Sequence, residues 1–178
     1  MKFNRFSILL FLPFIVVFFS FGLPKNIEKK VRKEIGKTFQ IESFSLNPIE
    51  VLPEVNSKMT SKIAKESFFK ILNGDKIVGY AYIDKAPSKT DLFDYLILLT
   101  PDLIVAKTKV LIYREDYGGE IGSKRWLKQF IGLKSNNQVL HGKDIIPISG
   151  ATISTISMTR AVNAFLLSLQ VLIDNKVL

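Results

Sequence analysis

The chain has 178 residues, 47% of them hydrophobic, and its 25 Lys and Arg against 16 Asp and Glu leave a formal net charge of +9. That length allows one globular domain with a proper core. With no cysteine and a single histidine, disulfides, thiolate metal sites, iron–sulfur clusters, covalent c-type haem and a His-rich metal centre are excluded, so any electrons the protein moves need an organic carrier.

Lys2 and Arg5 precede an uncharged run from Phe6 to Leu23. It is near the lower length limit for a spanning helix and slightly long for a signal-peptide core. Ser20-Phe21-Gly22 places small residues where a signal peptidase would cut after Gly22. Residues 1–23 are therefore expected to be a signal peptide or a membrane anchor. Losing Lys2 and Arg5 with the leader would lower the charge by two, to +7. Much of the remaining excess follows directly, in Lys25, Lys29, Lys30, Arg32, Lys33 and Lys37, offset only by Glu28 and Glu34. A basic segment there suits an anionic membrane surface, and the leader argues against a nucleic-acid partner. Positive-inside logic applied to an uncleaved anchor would leave this segment in the cytoplasm.

Residues 25–37 read as a basic amphipathic helix or a linker. Phe39 to Leu46 alternates as a half-buried strand does, before Pro48 and Pro53 break the pattern. Phe68 to Leu72 and Ile77 to Ile83 flank Asn73-Gly74-Asp75, a hairpin signal. A second pair, Tyr95 to Thr100 and Ile104 to Tyr113, turns at Pro101-Asp102. Such a meander predicts an antiparallel sheet, which needs no crossover helices.

Tyr113 to Gly122 then reads Tyr-Arg-Glu-Asp-Tyr-Gly-Gly-Glu-Ile-Gly, and its three glycines allow close backbone approach to a flat ligand. An ordinary surface turn would look the same. Ser123 caps a short helix to about Ile131, with Trp126 and Phe130 on one face. Trp126 suits core packing better than ring stacking. Lys124, Arg125 and Lys128 suit either a solvated face or an anionic partner. His141 reads as a loop residue.

The last pattern is a helix from about Ile153 to Asp174, with Met158, Ala161, Val162, Phe165, Leu169 and Leu172 in one stripe and Thr159, Asn163 and Gln170 opposite. Leu166 and Leu167 widen the apolar surface, so most of this helix is expected to be buried. Ser149-Gly150-Ala151-Thr152 opens it. Small residues at the positive end of a helix favour a phosphate, while Ser149 or Thr152 would equally serve as a plain N-cap. Ser154, Thr155 and Ser157 complete the first turns.

The run Ile148-Ser149-Gly150-Ala151-Thr152-Ile153-Ser154 closely resembles the flavinylation motif of the FMN-binding domain family, known from peripheral flavin subunits of Na⁺-translocating NADH:quinone reductase and the related Rnf complexes. The resemblance implies FMN attached by a phosphoester to Thr152, with Ser149, Gly150, Ala151 and Ile153 around it. It matches Glu115 and Gly118 to the Glu and Gly of a Glu-Thr-Pro-Gly loop that contacts the isoalloxazine ring, with Asp116 and Tyr117 replacing Thr and Pro. It further implies attachment by a Mg²⁺-dependent flavin transferase using FAD, an extracytoplasmic (periplasmic) location, and electron relay between membrane redox partner proteins rather than independent enzymatic activity. One position departs from the family pattern. Ile146 stands where the family has Asp, and the nearest acid is Asp144. The alternatives are a shifted role for Asp144, FMN held without a covalent bond, or a membrane-tethered interaction module that has lost flavin. The expected organisation is a leader at 1–23, a basic linker and first strand at 24–57, and an FMN-binding domain at 58–178. Its expected fold is α+β, a single domain with an antiparallel meander and a buried C-terminal helix whose N-terminus carries the flavin phosphate.

Overall fold

Strand-forming runs that follow one another through short turns tend to pair with their chain neighbours, and here they do. The computed structural model describes residues 22–178. Of the expected leader only Gly22 and Leu23 fall among them; the rest lies outside the described residues. In chain order come helix α1 (Lys25–Phe39), strand β1 (Ser45–Pro48), the short helix α2 (Pro53–Ser57), strands β2 (Phe68–Asn73), β3 (Lys76–Pro87), β4 (Leu92–Leu99) and β5 (Val105–Ile112), the short helix α3 (Lys124–Leu127) and the long helix α4 (Thr152–Asp174). The strands form one antiparallel sheet in the order β1-β2-β3-β4-β5. This is the expected α+β meander in a single domain.

The β2–β3 hairpin closes on Gly74 and Asp75, with Asn73 paired to Lys76. Gly74 has φ +60°, which a two-residue turn beginning on Gly requires and a side chain would oppose. The β4–β5 connection turns through Pro101 to Leu103, closed by Thr100 N–H donating to Ile104 C=O at 2.8 Å.

Side chains alternate across a strand, and both faces of this sheet are covered. On one face Phe68, Tyr80, Tyr82, Tyr95, Ile97 and Leu99 pack with Met158, Val162, Phe165, Leu169 and Leu172 of α4. The Phe165 ring lies 4.0 Å from Tyr82 in a stacked arrangement and 5.6 Å edge-on from Phe68. Tyr82 donates its hydroxyl to Asp84 at 2.7 Å. Burial pushes the Tyr82 and Tyr95 phenols well above their ordinary range. On the opposite face Phe69, Ile71, Ala81, Ile83, Leu96 and Leu98 meet Ile27, Val31 and Ile35 of α1.

Three expectations need correcting. Of the two readings of residues 25–37 the amphipathic helix holds, but it buries a face in this second core layer, so residues 24–57 belong to the same folded unit and are not a linker ahead of it. The strand expected at 39–46 begins only at Ser45. Phe39 closes α1, Gln40 takes the left-handed conformation at φ 55°, and Phe39, Ile41 and Phe44 pack against the α1 layer as partly buried side chains. Helix α4 is partly rather than mostly buried. Its stripe is covered, Leu167 is 42% exposed, and Thr159 is buried where a polar face was expected, donating its hydroxyl to Thr155 C=O at 2.8 Å. By length and composition α4 could cross a bilayer, but in this fold its apolar surface goes to the sheet.

Candidate functional site

The site begins where β5 runs out. Beyond Ile112 the chain turns back over the start of α4, and Tyr113 Oη lies 3.0 Å from Ser154 Oγ in a hydrogen bond. Gly118 has φ +80°, and a Cβ there would lie 3.0 Å from Ala151 Cβ and 3.1 Å from Gly150 O. Only glycine lets these two loops approach so closely. Two segments well separated in sequence are thereby brought together.

Between them opens a cleft of about 360 Å³, at the small end of the range for ligand sites. Its walls are Tyr113, Glu115 and Tyr117 from the loop after β5, Gly150 to Ser154 from the start of α4, and Lys89 from the β3–β4 turn. Tyr117 is 83% and Ile153 50% exposed, so both form its rim. Ser149 and Asp116 are exposed and do not line the cleft, and Gly118 contributes through its contact with Ala151.

Neither expected cap residue caps α4. Ala151 occupies the N-cap position, with no side-chain hydrogen bond. The N–H groups of Thr152, Ile153 and Ser154 therefore have no acceptor among the described residues, as the first turn of a helix leaves them. Three hydroxyls stand in that turn. Ser154 is buried and bonded to Tyr113; Thr155 is buried, bonded to Thr152 C=O at 3.0 Å and to His141 Nε2 at 2.9 Å. Thr152 is exposed, lines the cleft, and its hydroxyl has no partner among the described residues.

Glu115 lines the cleft and is also bonded to the β3–β4 turn. Its carboxylate accepts from Ser88 Oγ at 2.6 Å, from Thr90 N–H at 2.6 Å, from Thr90 Oγ1 at 2.8 Å and from Asp91 N–H at 3.2 Å. The Ser88 hydroxyl and the Thr90 and Asp91 donors hold its pKa down to about 2. It braces the β3–β4 turn, and so Lys89, against the cleft. The expected pH dependence follows from a folded pKa below the unfolded one. The brace contributes fully above pH 4.5 and is lost as pH falls toward about 2. Glu115→Gln should therefore flatten the acid limb of the stability curve in that window, measured by urea denaturation at each pH. An unchanged limb would mean the brace carries no stability.

The segment before the motif is pinned from α3. Trp126 Nε1 donates to Ile146 C=O at 2.8 Å and Ile146 N–H donates to Gln129 Oε1 at 2.7 Å, while the Ile146 side chain is 69% exposed. Trp126 is buried against Phe130, the core role expected of it. Asp144 Oδ2 accepts from Leu140 N–H at 2.8 Å, which ties that carboxylate into its own turn. Arg125 and Lys128 border a neighbouring cavity with Ile146 and Pro147, and Lys124 lines neither.

Lys89, the Ser88–Asp91 turn and Gln129 were not readable as site residues. They carry no motif, and only strand pairing brings the β3–β4 turn beside residue 115. No protein-family model matches the chain, and no curated protein matches it.

Proposed function

We propose that the protein is an FMN-carrying electron-transfer domain related to the FMN-binding domain family, with the flavin phosphate esterified to Thr152. One observation carries the reading: Glu115 and Tyr117 of one stretch singled out for flavin and Gly150 to Ile153 of the other line one cleft, and the Thr152 hydroxyl on its wall has no partner among the described residues. The donor set suits a phosphate monoester. Three N–H groups without an acceptor among the described residues, at the positive end of a 23-residue helix, stand on the cleft wall, and Lys89 adds a cation. When bound, FMN would supply the redox chemistry. The chain's own part is to hold the phosphate at the start of α4, to fix the loop of Tyr113 and Tyr117 at the cleft through Gly118, and to keep that geometry rigid by packing the apolar stripe of α4 on the sheet. The partners that go with this reading are a flavin transferase during maturation and membrane redox proteins afterwards, on the extracytoplasmic face.

Co-expression of the full chain with a flavin transferase tests it. Protein denatured and run on a gel should retain flavin fluorescence; colourless protein that binds no FMN on titration would sink the flavin reading altogether. A second reading, FMN held reversibly, is favoured by Ile146. No carboxylate stands at that position, and Asp144 is held by Leu140 N–H instead of approaching it. Yellow native protein that loses its colour on denaturation is the outcome that selects it.

A further inference from the structure

Helix α1 carries two parallel ridges. Ile27, Val31 and Ile35 are buried in the sheet, and Lys25, Lys29, Lys33 and Lys37 are exposed. The lysines stand two residues off the buried ridge, hence about 200° round the helix, and their line runs for about 18 Å. The acids of α1 have other first partners: Glu28 pairs with Arg32 at 2.8 Å and Glu34 with Lys107 at 2.6 Å, although Lys37 also lies near enough to help hold the Glu34 carboxyl below its ordinary value. Lys30 points back, donating to Leu111 C=O at 2.7 Å. None of the four ridge lysines forms an ion pair among the described residues. Lys33 and Lys37 also edge a groove with Ile41 and Phe44 on its wall and Glu42 as its one acid, a cationic rim around apolar surface.

Only Pro24 separates this helix from the apolar run ending at Leu23. Leu23 and Lys25 are thus at most about 7 Å apart, so whatever holds that run also meets the start of the ridge. We propose that α1 docks lengthwise on a bilayer of anionic phospholipids through Lys25, Lys29, Lys33 and Lys37. The sheet then lies parallel to the lipid, and α4 with its cleft faces the water on the far side, since α1 and α4 cover opposite faces. Each lysine near a charged surface strengthens binding roughly fivefold. A nucleic acid would need the same cations but not their position one residue beyond an apolar, membrane-directed segment near the lower length limit for spanning a bilayer. The proposal stands independently of flavin.

The β2–β3 turn reports on it. Helix α1 ends near that end of the sheet, where a Cβ on Gly79 would lie 2.6 Å from the Phe39 ring. Lengthwise docking brings Asp75 close to the lipid, whereas a domain tethered only by residues before Lys25 leaves it remote. The chain has no cysteine, so Asp75→Cys labels at one place. Full-length protein on vesicles of phosphatidylglycerol and phosphatidylcholine should show energy transfer from that dye to a headgroup acceptor. Replacing the four ridge lysines with Gln should sharply lower the transfer, as should roughly 0.5 M salt, where screening lengths shrink to a few ångströms. Four Arg should restore it. Circular dichroism checks that the Gln chain still folds, and Gln is a good helix former. Absent transfer in the parent chain, transfer unchanged in the Gln chain, or ridge-dependent binding of an oligonucleotide without ridge-dependent transfer each overturns the proposal.

Discussion

Thr152→Val is expected to abolish flavin attachment while leaving the fold untouched. Valine keeps the shape of threonine and loses only the hydroxyl, and residue 152 is exposed at the first position of α4. Stability should stay within about 0.5 kcal/mol of the parent, as for surface substitutions away from special features. Covalent flavin should fall to background, read as fluorescence of denatured protein and as intact mass. Thr152→Ser, which keeps an oxygen in the same place, should retain part of it. The neighbouring hydroxyls cannot substitute without rearrangement, because Ser154 and Thr155 are buried and already bonded. Flavin surviving denaturation in the valine variant would move the attachment point elsewhere and strip residue 152 of its proposed role.

Phe165→Ala acts at the other extreme, on the fold that holds the site. Phe165 is fully buried, stacks on Tyr82 at 4.0 Å and meets Phe68 edge-on. Truncation should cost about 3–5 kcal/mol, the range for a buried Phe whose cavity only partly collapses. Of that, about 0.5–1.5 kcal/mol per aromatic pair goes beyond area burial. Because most domains have only about 5–15 kcal/mol to lose, urea midpoints should drop steeply. Function should follow. Residue 165 lies several turns beyond Thr152, yet the same helix carries both, so loosening α4 on the sheet also loosens the first turn. A loss under about 1 kcal/mol, well below the range for a buried ring, would mean that α4 is not anchored by this aromatic contact.

The balance between the covalent and reversible readings turns on a small stretch of backbone. Trp126 and Gln129 grip both polar groups of Ile146, which fixes the approach to the motif even though the side chain there is apolar and exposed. A transferase that needs only the geometry of the loop would find it preformed; one that needs a carboxylate at this position would not. Introducing that carboxylate leaves the grip intact, since only backbone atoms are held.

Local chemistry alone settled much of this protein. Asn73-Gly74-Asp75 marked its hairpin because a two-residue turn demands a backbone that glycine accepts, and the apolar stripe from Met158 to Leu172 marked α4 because helical spacing puts those residues on one face. The small residues that open α4 were likewise a local matter. Where local rules compete, they failed. Phe39 to Leu46 alternates like a strand, yet the preceding amphipathic run carried helix through Phe39, since Ile27, Val31 and Ile35 gain more by covering the second face of the sheet. Nor could spacing foretell that Glu115 would bond to Ser88 and Thr90, that Lys89 would stand beside Thr152, or that Gly118 would touch Ala151. Those contacts exist because strand pairing stacks the β3–β4 turn, the end of β5 and the first turn of α4 at one corner, and a contact between residues far apart in sequence is decided by packing, which no single segment encodes.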